Sequence, residues 1–432
     1  MTREPARARL ELALSRIDDP KGEGARACLT VYREQALAQA DAADARARHG
    51  ISLGPLDGAI VTIKDLFDVA GEVTRAGSRV VAEEGQPAAA DAPVVRRLRA
   101  GGAVIVAKTN MSEFAFSGVG MNPHYGTPGN PADRSRVPGG STSGGAVAVG
   151  DAMCEIAIGS DTGGSTRIPA ALCGLVGFKP SQKRIPLDGA YPLSHSMDSI
   201  GPIARSVTDC ARADAVMAGE TLDALEPAPL TGLRVGVAQG MALDGLDEVV
   251  AKRFEAAIAI LRRGGAQLSD QPLPLIQPWM EVSARGGVQP VEAFAVNRNW
   301  LDRRGADIDP NIRARLERAR SVSAADYLWM AERRAALVKA MDNALRDIDV
   351  LVAPTTPIVA PTIAEMNASD VFGRKNAMLL RNTSMWNFFD CCAISLPLPR
   401  EGGLPVGLML VVRNGFDHRL FRIAAAVEEM FA

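Results

Sequence analysis

"GGSTSGGAVAVGDAMCEIAIGSDTGGSTRIP", Gly139 to Pro169, holds eight glycines and seven hydroxyl side chains in thirty-one positions, and no histidine. Glycine loses more backbone freedom on folding than any other residue, so glycine at this density needs a reason. The stretch divides into two clusters, "GGSTSGG" and "DTGGSTR", with the short apolar run "CEIAIGSD" between them predicting a strand. A Walker loop would require GxxxxGK[ST], and no Gly-Lys-Ser/Thr occurs; the GxGxxG dinucleotide spacing is absent as well. Two readings then stand: turns at strand ends serving only the fold, or backbone shaped around a reacting group. In the second, Gly163 and Gly164 present the Ser165 hydroxyl with several N–H groups converging beside it, the arrangement of an oxyanion hole.

Outward from this stretch, strands and helices alternate. "GAIVTIKDLF" (58–67) predicts a buried strand, "DAPVVRRLRAGG" (91–102) a helix closed by glycine, and "AVIVAKTN" the next strand. Short links between them point to parallel βαβ units. Further on, "GLRVGVAQG" (232–240) and "DVLVAPTTP" read as strands, with long amphipathic helices before and between them. The end, "CAISLPLP", "PVGLMLVV" and "HRLFRIAAAVEEMF", reads as strand, strand, helix, while residues 1–50 read as helices. The pattern predicts helices on both faces of a mixed sheet.

Composition narrows the function classes. At 432 residues with 23% charged and a formal net charge of −2, the chain has no electrostatic footprint for nucleic acid and no polybasic membrane patch. No run of eighteen apolar residues occurs, and the first residues are charged throughout without an apolar signal core; the expectation is a cytoplasmic protein without a membrane role. Six scattered cysteines lack metal-type spacing and read as reduced, buried thiols, the adjacent Cys391 and Cys392 included. No metal and no cofactor are expected.

A serine nucleophile needs a base. Of the four histidines, His49 ends a polar helix and His418 lies at the start of the last one, whereas His124 and His195 fall in loops and stay open as candidates. A lysine serves equally if burial strips its charge. Lys64, alone among apolar residues in "AIVTIKDLF", is such a lysine, and Lys108 in "VIVAKTN" is its rival. Asp65 adjoins Lys64, but neighbouring strand residues point to opposite faces. Asp161 and Arg167, six residues apart around the turn, are expected to pair and hold it.

With these residues in place, the chain resembles the amidase signature family. The resemblance is carried by "GAIVTIKDLFDV", "GGAVIVAKTNMSEFAF", "NPHYGTPGNP", "PGGSTSGG" followed by "GSDTGGSTRIPAALCGLVGFKPS", and then "DSIGPIARSVTDCA", "DVLVAPTTP" and "LPVGLMLV". It implies a three-layer α/β/α fold with a large mixed, mostly parallel central sheet. It also implies one domain over 1–432, with a helical segment at about 1–50 and the core at 51–432. It implies a catalytic triad: Ser165 as nucleophile, Ser141 as bridging serine after a cis Gly140–Ser141 peptide, and Lys64 as base. The amides of Thr162, Gly163, Gly164 and Ser165 would form the oxyanion hole. Ser143 is the alternative to Ser141. Where members of the family show a Gly/Pro-containing segment, this chain has "NFFDCCAISLP", which implies a different pocket wall.

The implied activity is hydrolysis of a C–N bond through a serine acyl-enzyme, on an amide or a carbamate- or urea-like substrate, releasing ammonia or amine. Segments 111–122, 190–197, 285–330 and 380–392 are expected to line the pocket, with Phe114, Met121, Tyr191 and Trp386 as substrate contacts. Few fixed charges in these segments favour a small-to-medium, partly apolar amide. Two alternatives remain: the glutaminase subunit of a tRNA-dependent amidotransferase, or a catalytically silent binding scaffold. The partners expected are a small-molecule amide and water, with a homodimer possible among the family.

Overall fold

The computed structural model describes residues 4–222, 224–399 and 402–431. Its eleven strands are β1 (Cys28–Val31), β2 (Ile60–Lys64), β3 (Val104–Thr109), β4 (Ile156–Ser160), β5 (Val176–Lys179), β6 (Ile200–Ala204), β7 (Arg234–Ala238), β8 (Gln267–Gln271), β9 (Val350–Pro354), β10 (Cys392–Pro397) and β11 (Gly407–Val412). They form one sheet in the order β1-β3-β2-β4-β6-β5-β10-β11-β9-β7-β8.

Side-chain alternation sorts each strand between two layers of helices. On one face, Val61, Ile63, Ile156 and Leu410 pack with residues of helices Pro93–Ala100, Val207–Ala218 and Asp417–Phe431. On the other, Ile60 and Ala157 pack with Leu10, Ala36 and Val147 of three more helices, while Leu351 and Met409 meet Met330 and Met385. The α/β/α layering follows directly from this period of two.

The sheet is mixed, and here one expectation is corrected: it is not mostly parallel. The ladders β2–β3, β2–β4, β7–β8 and β7–β9 are parallel. The other six are antiparallel. The βαβ units legible in the sequence lie towards the two ends of the sheet. The middle is built from β5, β6, β10 and β11, and β10–β11 is a hairpin whose short connection permits only antiparallel pairing. The N-terminal segment also holds more than helices, because β1 pairs with β3 at the sheet edge.

Candidate active site

The site collects at the carboxyl ends of the adjacent parallel strands β2 and β4, where open α/β sheets place their ligands. Lys64 is the last residue of β2 and is fully buried. Ser160 ends β4, and the chain then turns through 161–166 into helix Arg167–Cys173. Ser141 lies just before helix Ser143–Gly150, and the Gly140–Ser141 peptide is cis.

Lys64 Nζ donates to Ser141 Oγ at 2.8 Å and to Ser160 Oγ at 3.0 Å. Burial pushes its pKa down to about 7, against the pull of the Asp161 and Asp198 charges. A lysine held there is half neutral near pH 7, which suits a proton acceptor. Cross-strand register separates it from its rival: Lys64 is paired with Thr109, whereas Lys108 is paired with Ile63 and shares that residue's opposite face. Ser143 starts its helix with a hydroxyl that has no partner, so the lysine selects Ser141.

The turn that carries Ser165 is held from inside. Arg167 donates Nε to Asp161 Oδ2 and Nη2 to Asp161 Oδ1, both at 3.0 Å, in a fully buried pair. Asp161 Oδ1 also accepts from Gly164 N at 2.7 Å and from Asn387 Nδ2 at 2.9 Å; Oδ2 accepts from Thr166 N at 3.2 Å. Burial raises the pKa of this carboxyl, but Arg167 and Asn387 outweigh it and hold the group well below the usual carboxylate range. Gly164 has φ +128°, and a Cβ there would come within 2.2 Å of Thr383 Oγ1, so only glycine fits.

These bonds correct one assignment. The Gly164 N–H points into Asp161 and is spent there, so it is withdrawn from the oxyanion set. Among the described residues, the amides of Thr162, Gly163 and Ser165 donate to no protein acceptor. Ser165 itself is 4% exposed, and its carbonyl accepts from Thr142 N at 3.3 Å, which ties the two glycine clusters together. No histidine is bonded to either serine among the described residues: His124 meets Glu113 at 3.1 Å and His418 meets Glu220 at 3.0 Å.

Two cavities adjoin the turn. One, of about 380 Å³, is lined by Ser160, Tyr191, His195 and Asp198. Asp198, which sequence reasoning missed, accepts from Thr162 Oγ1 at 2.6 Å and from the amides of Leu193 and Ser194 at 2.9 and 3.1 Å; burial pushes its pKa up to about 6. The other, of about 180 Å³, is lined by Met197, Gln289, Leu380, Ser384 and Phe388. It abuts the turn, because a Cβ on Gly163 would lie 3.4 Å from Leu380 and 3.7 Å from Gln289.

The four expected substrate contacts divide. Tyr191 lines the first cavity, and Met121 packs in the cluster of Ile168 beside Leu380. Phe114 is buried and stacks on Tyr191 with ring centroids 5.9 Å apart, so it backs the wall. Trp386 is corrected: it is wholly buried with Met330 and Leu351 and lines neither cavity. Helical spacing explains it. Leu380, Ser384 and Phe388 form the cavity stripe of helix Ser369–Phe388, and residue 386 falls on the other side.

The family profile "Amidase" matches residues 10–421. This chain belongs to the amidase family. At 37% identity it is similar to 2-amino-5-chloromuconic acid deaminase of Comamonas testosteroni, over 92% of this chain and 86% of that one. It is equally similar, at 37%, to a glutamyl-tRNA(Gln) amidotransferase subunit of Anaeromyxobacter sp. (strain K), over 97% of this amidase and 92% of the relative. A crystal structure of an amidase superposes with a TM-score of 0.88 at 33% identity, covering 99% of this chain and 97% of the other. The protein is an enzyme, a hydrolase of C–N bonds. Among its described residues no helix is long and apolar enough to cross a membrane.

Proposed function

We propose that this amidase hydrolyses a small-to-medium amide, carbamate or urea-like compound through an acyl-enzyme on Ser165. Neutral Lys64 takes the proton of Ser141, which takes that of Ser165 as its Oγ bonds to the substrate carbonyl carbon. The carbonyl π-pair moves to oxygen, where the Thr162, Gly163 and Ser165 amides receive the negative charge. Collapse breaks the C–N bond, and the relayed proton goes to the departing nitrogen. Water then attacks the ester by the same relay, releasing the acid and restoring Ser165.

The observation that carries this reading is the 2.8 Å bond between Lys64 Nζ and Ser141 Oγ, made by a lysine whose charge burial disfavours. The test is incubation with a fluorophosphonate, followed by intact mass and peptide mapping. A single adduct on Ser165, absent in Ser165→Ala, is the expected result; no adduct, or one elsewhere, overturns the assignment.

A second reading, the glutaminase component of a tRNA-dependent amidotransferase, draws on the likeness to the Anaeromyxobacter protein. Its signature is release of ammonia from free glutamine together with co-purification of companion chains. Turnover of simple amides by the isolated chain, with glutamine untouched, favours the first reading.

A further inference from the structure

The two cavities beside the Ser165 turn differ in charge. The one at Ser160 is lined by Asp188, His195 and Asp198, whereas the one at Gly163 has no charged side chain in its lining among the described residues. Its walls are mostly apolar, with Met197, Val282, Leu380 and Phe388 among them. Two polar side chains break that surface where it meets the turn. A Cβ on Gly163 would lie 3.7 Å from Gln289 Nε2 and 3.7 Å from Ser384 Cβ. Among the described residues, neither the Gln289 carboxamide nor the Ser384 hydroxyl makes a hydrogen bond.

Both are held in place from behind. Gln289 sits in the first turn of helix Val288–Arg304, which follows Gly286 and Gly287 at φ +114° and +74°. One turn further on, the buried Glu292 accepts from Ser194 Oγ, from Ser196 N at 3.1 Å and from the Tyr327 hydroxyl at 2.7 Å. The segment 193–198 thus grips this helix and, through Asp198, the Thr162 hydroxyl as well. Ser384 follows Thr383, whose Oγ1 donates to Gly163 O at 2.7 Å. Gln289 and Ser384 are therefore fixed relative to the oxyanion amides, while the fold leaves their hydrogen-bonding capacity unused. A group entering the cavity strips them of water, and only one that replaces those bonds avoids the loss. A charged group finds no counter-ion there.

We propose that Gln289, with Ser384 beside it, is a specificity-determining residue that hydrogen-bonds the substrate close to its scissile carbonyl. The part of the substrate in this cavity is uncharged and carries a hydroxyl, carbonyl or carboxamide near the reacting carbon. This rests on the acyl-enzyme reading above and narrows its substrate class.

The test labels Ser165 with a neutral fluorophosphonate and measures how well small amides protect it. Lactamide differs from isobutyramide by a hydroxyl in place of a methyl, and malonamide differs from malonamate by one charge. In wild type, lactamide or malonamide protects at concentrations about tenfold below isobutyramide, and malonamate and the ammonium-bearing β-alaninamide protect more weakly than malonamide. Gln289→Met, of similar size, removes the advantage over isobutyramide. Gln289→Glu places a carboxylate in the cavity and improves protection by β-alaninamide about tenfold, a change that a merely structural role would not produce. Circular dichroism and thermal unfolding show that each variant is folded; should Gln289→Met fail to fold, the isosteric Gln289→Glu carries the test. No advantage of lactamide or malonamide, or one that survives Gln289→Met, overturns the role of Gln289. Malonamate protecting as well as malonamide overturns the claim that this part of the substrate is uncharged. Either result, with Ser165 still labelled, leaves the acyl-enzyme reading standing; absence of any Ser165 adduct overturns that reading and this inference with it.

Discussion

Lys64 and Lys108 sit on adjacent parallel strands, one register position apart and both fully buried, yet the two faces of the sheet receive them differently. On its face, Lys64 finds two hydroxyls and, among the described residues, no carboxylate in ion-pair contact. On the other, Lys108 Nζ stands 3.3 Å from Glu72 Oε2, a carboxylate that also accepts from the Tyr32 hydroxyl at 2.7 Å. Asp65 is buried on that side too, its pKa pushed up to about 6 by burial against the charges of Arg75 and Lys108. Burial alone therefore does not make a base. Hydroxyl partners leave the neutral amine competitive, whereas a carboxylate at contact distance stabilises the ammonium.

The largest test of this contrast is a paired substitution. Lys64→Met is expected to lower kcat/KM by about 10⁴-fold, the scale seen when a relay member is lost. Lys108→Met is expected to change kcat/KM less than about tenfold while lowering stability by roughly 2 kcal/mol, because Glu72 loses its counter-ion. Steady-state kinetics and denaturant unfolding read both; similar losses of turnover would erase the distinction between the faces.

A smaller effect should appear in the pH dependence of stability. Lys64 titrates near 7 in the folded chain and at its ordinary 10.5 when unfolded, so the unfolded state binds more protons between those values. The stability of wild type relative to Lys64→Met is accordingly expected to rise by an amount of order 4 kcal/mol between about pH 7 and pH 10.5, and to be independent of pH outside that window. Urea unfolding of both proteins across pH 6 to 10 checks it, and a gap independent of pH would mean that Lys64 is not desolvated.

The smallest is a rate effect. With the free base as the active form, kcat/KM is expected to fall about tenfold per pH unit below about 7 and to level off above it. The remaining activity of Lys108→Met should follow the same curve. A limb displaced in that variant would place Lys108 in the titration.

Much of this site was legible because its parts are local. Lys64 stands out as a lone cation in an apolar strand, Ser165 and the Asp161–Arg167 pair lie within one turn, and the family resemblance supplied Ser141. The register that sets Lys108 aside is a relation between two strands and leaves no mark in either one. Asp198 and Asn387 reach the turn from distant segments, and neither had a local signal. Helix Ser143–Gly150 has no helical signal in its glycine-rich start, since glycine disfavours helix, and burial of every residue but its last stabilises it regardless. Trp386 failed for a similar reason, since membership of a pocket segment does not fix which side of a helix faces the pocket.

The grip on Asp161 has a consequence for how the enzyme comes into being. Asn387 bonds both the carboxylate and the carbonyl of Asp161 across 226 residues of chain, and Arg167 reaches back to Asn387 and to the Thr383 carbonyl over 220 and 216. During synthesis the turn at 161–166 is made early, while the helix that braces it, Ser369–Phe388, emerges near the end. Until then the aspartate lacks part of its shell and the Ser165 loop lacks its mould. The mould of the Ser165 turn is thus complete only once helix Ser369–Phe388 has docked.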